Sequence, residues 1–190
     1  MMRPIILILG PTAGGKTSLA ISLANQLDGG GECICADSMQ IYKNMNIGTA
    51  KPTQEEQAQA IHHLVNIVDP SEDGFTVESW LTRAEQAIED IRARGKWPIV
   101  VGGTNLYVQS LLFGLFDGPD CDQEKRDALN AEPNTVLQER LHALDPEAAE
   151  RIHINDKRRL VRAIEVCEAT GHPLSSLQSQ WGKPMPREDA

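Results

Sequence analysis

Eight residues near the amino terminus carry the most legible chemistry. Gly10-Pro11-Thr12-Ala13-Gly14-Gly15-Lys16-Thr17 follows the spacing G-x-x-x-x-G-K-[ST]. Glycines so placed let backbone N–H groups turn inward around phosphate oxygens. Lys16 adds a point charge and Thr17 a hydroxyl suited to Mg²⁺. A helix starting there also points its positive dipole end at an anion. The predicted chemistry is binding of a di- or triphosphate, and the loop alone does not say of which molecule. Two more polar groups stand out by position: Asp37-Ser38 closes one apolar run, and Gly102-Gly103-Thr104-Asn105 closes another.

The elements that must position these groups can be read around them. The apolar run Ile5-Ile6-Leu7-Ile8-Leu9 precedes the glycine-rich loop, and the helical pattern Ser18-Leu19-Ala20-Ile21-Ser22-Leu23-Ala24 follows it. After Gly29-Gly30-Gly31, Cys33-Ile34-Cys35-Ala36 reads as a second strand, and Trp97-Pro98-Ile99-Val100-Val101 as a later one. Ligands of open α/β sheets sit beyond the carboxyl ends of the strands, where Asp37 and Thr104 fall. An isolated Asp-Ser would be a turn or a cap. This one continues into Met39-Gln40-Ile41-Tyr42-Lys43 and Ile47-Gly48-Thr49-Ala50-Lys51-Pro52, a polar stretch with the look of a site wall. For Thr104 two readings stand side by side: a cap for a helix over 106–113, and a group touching ligand.

Between these segments, Thr53-Gln54-Glu55-Glu56 has capping-box spacing, and Leu64-Val65-Asn66-Ile67-Val68 is predicted to be a strand. The adjacent His62 and His63 point to different sides of any regular element. A shared metal is therefore not expected; their role is read as structural, with one of them at a pocket wall. A helix over 76–94 shows its buried face in Val77, Trp80, Leu81, Ala84, Ala87, Ile88 and Ile91. Beyond a loop over 114–122 the pattern changes to consecutive helices over 123–131, 134–144, 146–152 and 156–170. The predicted organisation is an α/β core over 1–122, a helical subdomain over 123–180 and a disordered tail over 181–190.

Composition narrows the setting. The 190 residues suit one domain with an appendage, and no run is apolar and long enough to span a bilayer. The four cysteines, Cys33, Cys35, Cys121 and Cys167, lack zinc spacing; with the first strand starting at once and leaving no room for an export signal, a reducing cytoplasm is expected. A net charge of −9 argues against a generally basic nucleic-acid binder. One basic cluster nevertheless occurs, Lys157-Arg158-Arg159-Leu160-Val161-Arg162. Its first three residues would lie in the first turn of a helix, where positive charge opposes the dipole. That placement points to an anionic partner, while Leu160, Ile164 and Cys167 form the packing side.

The ordered set of motifs resembles the tRNA dimethylallyltransferases, also called tRNA isopentenyltransferases. It comprises the residues 10–17, Asp37 to Tyr42, Ile47 to Pro52, His63-Leu64 with Asp69-Pro70, Val101 to Tyr107, and Ile152-His153 through Asp156, Arg159 and Arg162. The resemblance implies an α/β fold built on a P-loop NTPase-like parallel sheet flanked by helices. It implies transfer of a dimethylallyl group from dimethylallyl diphosphate to N6 of the adenosine 3′ of the anticodon. In that scheme residues 10–17 hold the diphosphate leaving group, with Mg²⁺ at Thr17. Asp37 is the base, and Thr104 lies near the reacting groups. Asp37, Ser38, Met39 and Gln40 meet the flipped base, and Arg126, Arg158, Arg159, Leu160, Val161 and Arg162 meet the tRNA. A monomer is expected. The family's chains run longer than this one, so a fragment or short form is expected. Three alternatives stay open: a P-loop kinase binding ATP, with Asp37 as base; an adenylate isopentenyltransferase; and a nucleotide-binding remnant without activity.

Overall fold

The computed structural model describes residues 2–72, 74–115, 118–119, 122–178 and 187–190. They form two compact units, Met1–Gly114 with Met185–Ala190 and Leu115–Pro184. The first unit is the α/β core. Its elements run β1 (Ile6–Leu9), α1 (Lys16–Gln26), β2 (Gly31–Ala36), α2 (Gln54–Gln59), β3 (His62–His63), α3 (Val77–Ala93), β4 (Trp97–Gly102) and α4 (Asn105–Phe113).

The four strands form a parallel sheet in the order β1-β4-β2-β3. Parallel strands covered on both faces read as continuous apolar runs, and these do. On one side Ile8, Cys33 and Ile99 pack with Ala20 and Ala24 of α1. On the other Ile34 and Val100 pack with Trp80, Ala84, Ile88 and Ile91 of α3. The predicted stripe of α3 is thus core. Trp80 is fully buried, stacks on Tyr107 at 4.5 Å and donates its indole N–H to the Cys35 carbonyl at 2.9 Å. That bond ties α3 to the end of β2, two residues before Asp37. Leu9 of β1, Gly102 of β4 and Ala36 of β2 share one register level, so the loops that follow them emerge together. Gly102 makes this possible: a Cβ there would meet the Ala36 carbonyl oxygen at 2.2 Å.

Two expectations are corrected. The strand predicted over 64–68 is instead the two-residue β3, one step earlier. Leu64 and Asn66 take φ of 61° and 57°, which breaks extended geometry. The following N–H groups donate to Gln40 and Ile41 carbonyls, so this run follows 40–43 and only Val68 bridges, to Tyr42. The tail over 181–190 was expected to be disordered throughout; its last residues are held, while 179–186 lie outside the described residues. The Ile5 N–H donates to the Asp189 carbonyl at 2.7 Å, Arg92 pairs with Asp189 at 2.7 Å, and Arg187 pairs with Glu85. The second unit contains α5 (Gln123–Ala131), α6 (Asn134–Leu144), α7 (Pro146–Arg151), α8 (Lys157–Thr170) and a short α9 (Leu174–Leu177) around its own core of Leu137, Leu141, Leu160 and Ile164. No helix among the described residues is long and apolar enough to cross a membrane.

Candidate active site

A cavity of about 270 Å³ opens at the carboxyl end of the sheet in the first unit. Residues 12–18 form one side, and Asp37, Gln40, Glu56, His62 and Val101 form much of the rest. The loop is shaped by backbone requirements. The Gly14 N–H donates to the Pro11 carbonyl at 3.2 Å, and Gly15 takes φ of 73° as the residue before α1. No side chain caps α1 and its first turn holds no acid. The first N–H groups of that helix are therefore available to an anion. Lys16 folds back over the loop, its Nζ donating to the Pro11 carbonyl at 2.7 Å.

Ser38, next to Asp37, and Thr104 come together from positions 66 residues apart. Thr104 Oγ1 accepts from the Ser38 N–H at 2.9 Å and donates to Ser38 Oγ at 3.3 Å. The Thr104 N–H donates to the Ala36 carbonyl. Thr104 occupies the N-cap position of α4, yet its side chain makes no cap bond. Of the two readings of this residue, capping is therefore not what its hydroxyl does. Asp37 Oδ1 accepts from the N–H groups of Met39 (2.8 Å) and Gln40 (3.3 Å). These bonds fix the carboxylate and leave Oδ2 without a protein partner among the described residues.

Gln40 is committed inside the wall: Nε2 donates to the carbonyls of Thr49 and Ala50, and Oε1 faces the Cys35 thiol at 3.4 Å. Burial pushes that thiol up to about 12, so Cys35 stays neutral. Lys51 braces the same wall by donating to the Tyr42 carbonyl and to Asn66 Oδ1. Sequence reasoning left His62 without a specific role. Its Nδ1 meets the Ala60 carbonyl at 2.8 Å and so carries the ring proton in the neutral form. Nε2 is buried with no partner among the described residues, and burial lowers the pKa. The signal lay in the pair of histidines, and only the register of β3 decides which one reaches the cavity.

In the second unit the basic residues separate. Arg126 grips both oxygens of the buried Glu165 at 2.8 and 2.7 Å. Arg162 donates to the Pro119 carbonyl and approaches Glu165 at 3.7 Å. Leu160 and Val161 are buried in the core, so their side chains are taken up by packing. Arg159, 77% exposed, pairs with Asp156, and Arg158 is exposed. Asp156 itself caps α8 through the Arg159 N–H.

Two family models match the chain: one described as IPP transferase over residues 40–189, the other as isopentenyl transferase over residues 3–67. The chain belongs to the IPP transferase family. It is 48% identical over 176 residues to tRNA dimethylallyltransferase 1 of Citrifermentans bemidjiense, covering 93% of this chain and 56% of that protein. It is 46% identical over 188 residues to tRNA dimethylallyltransferase of Halorhodospira halophila, covering 97% and 60%. Among solved structures it resembles a eukaryotic dimethylallyltransferase acting on tRNA, with a TM-score of 0.75 and 36% identity over 93% of this chain and 44% of that one. The tRNA delta(2)-isopentenylpyrophosphate transferase of Staphylococcus epidermidis gives 0.57 at 37% identity, over 98% of this chain and 62% of that one. The chain thus spans under two thirds of the length of these relatives.

Proposed function

We propose that this chain carries the diphosphate-binding and amine-activating half of a tRNA dimethylallyltransferase. The observation that carries the reading is the convergence of the phosphate-type loop, the Asp37 carboxylate and the Ser38–Thr104 pair at the carboxyl ends of adjacent strands. The loop and the open N-terminus of α1 hold the diphosphate of dimethylallyl diphosphate. Thr17, which lines the cavity in the first turn of α1, fits a hard cation, and Mg²⁺ there supplies charge neutralisation to the leaving group. Asp37 Oδ2 accepts a proton from the exocyclic amine of adenosine as the C–N bond forms and the C–O bond to diphosphate breaks. An aromatic amine is a weak nucleophile, so a positioned base lowers the barrier. The base reaches this buried position by leaving its stack. Arg158 and Arg159 remain for RNA phosphates, Arg126 and Arg162 being held by Glu165 and Pro119. The compartment that fits such a substrate is the cytoplasm.

The kinase alternative uses the same loop with ATP. A titration with dimethylallyl diphosphate and ATP in turn, each with Mg²⁺, separates the two. Tight binding of the prenyl diphosphate is expected; micromolar ATP binding without it would return the chain to the kinases.

A further inference from the structure

The two adjacent histidines have different neighbours, and the difference bears on the cavity. Successive side chains of a strand face opposite sides. His62 turns to the cavity, while His63 Nε2 lies 2.6 Å from Glu32 Oε2. The strand that carries them is held to β2 by only two residue pairs, Cys33↔His62 and Ile34↔His63. It leads directly into Leu64 and Asn66 at positive φ, conformations that cost a residue with a Cβ. The backbone after it is braced at Asn66 by the Gln40 carbonyl and Lys51, and the two-residue strand itself is left to an anchor of its own. Glu32, 1% exposed, supplies the support: besides His63 it gathers Arg94 at 2.7 Å and Lys96 at 3.1 Å. Three elements thus meet at one buried carboxylate at the foot of β2. By register His62 is level with Cys33, four residues below Asp37, so Glu32 stands apart from the reacting groups.

We propose that Glu32 is a positioning residue for the cavity: through His63 it fixes β3 and so keeps His62 and Val65 in the cavity wall. His62 lines the cavity with Nδ1–H turned to Ala60, its Nε2 buried and without a hydrogen-bond partner among the described residues. The identity of the ligand that meets this wall rests on the prenyl diphosphate reading above; the positioning itself does not.

The test is ring-¹⁵N NMR of the 190-residue chain, with and without dimethylallyl diphosphate and Mg²⁺. In the wild type His62 shows one tautomer, protonated at Nδ1. His63→Leu removes the β3 arm and leaves Glu32 its Arg94 and Lys96 partners. In that variant the His62 tautomers average and diphosphate affinity falls about tenfold, the cost of losing a group that orients a ligand-facing histidine. His63→Gln, which keeps a donor, restores both signals. Lys96→Gln leaves Glu32 its Arg94 and His63 partners and changes neither. Unchanged His62 ring signals in both His63→Leu and Glu32→Gln would overturn the proposal. If the wild type binds no dimethylallyl diphosphate, the substrate reading fails, and the ring signals of the free protein still decide the positioning role.

Discussion

Acid should loosen this protein at Glu32 first in a way that one substitution can isolate. Burial pushes the Glu32 carboxyl up, but hydrogen bonds from Arg94, His63 and Lys96 outweigh it and hold the pKa at about 2, against an ordinary 4.5. The folded value is the lower one, so the stabilisation is fully present above pH 4.5. It is lost as pH falls from there toward 2. A difference of about 2.5 units corresponds to roughly 3 kcal/mol at 1.36 kcal/mol per unit. Asp189, also held at about 2, by Arg187 and Arg92, titrates in the same window. The comparison must therefore be between variants. Urea denaturation of wild type, Glu32→Gln and Asp189→Asn at pH 7, 4.5, 3.5 and 2.5 is the assay. The wild type should lose about 3 kcal/mol more than Glu32→Gln across the window, approached progressively. Parallel curves for the two would refute the assignment of a depressed pKa to this carboxylate.

Four further outcomes are expected. Gly102→Ala should cost about 3 kcal/mol in thermal denaturation, because its Cβ would collide with the Ala36 carbonyl where neither strand can move away. Thr104→Val should lose about 1 kcal/mol through the unsatisfied Ser38 N–H and should also lose transfer, while Thr104→Ser keeps both; an unchanged rate in the valine variant, measured with tRNA and dimethylallyl diphosphate, would remove Thr104 from the site. Arg158→Ala with Arg159→Ala should lower the salt slope of RNA binding by about one unit each, with little change in stability. Arg126→Ala should instead destabilise the second unit, since it strands the buried Glu165.

What was legible in the sequence was local. The glycine-rich loop between strand and helix, the capping box at Thr53 and Glu56, and the three- and four-residue stripe of α3 are each set by neighbours in the chain, and each is found as read. What was not legible depends on partners far along it. The Ser38–Thr104 bond joins residues 66 apart, and nothing in either segment names the other. Arg126 was expected at the tRNA from the resemblance alone, and nothing nearby in the chain announces Glu165, 39 residues on, which takes both ends of its guanidinium. The apolar run 64–68 has strand composition, yet its hydrogen bonds go to residues 40 and 41, and two positive φ angles follow from that. The last residues looked like a polar tail because Arg187 and Asp189 meet their partners only once α3 has folded.

The division of labour follows from where the charges are satisfied. Every residue lining the cavity lies between Thr12 and Gly102, within the first unit and between its two apolar clusters. Arg158 and Arg159, both exposed, lie in the second unit, around a core of its own. Within that core the buried Glu165 consumes Arg126 and draws on Arg162, so a run of basic residues that looked like one surface is two things. One part is the counter-charge of a buried carboxylate, which a chain cannot leave bare. The other, Arg158 and Arg159, holds positive charge in the first turn of α8 against the helix dipole, a placement that stability alone disfavours. In a chain of net charge −9, two exposed guanidinium groups in that position are what the RNA-binding test of Arg158→Ala with Arg159→Ala probes.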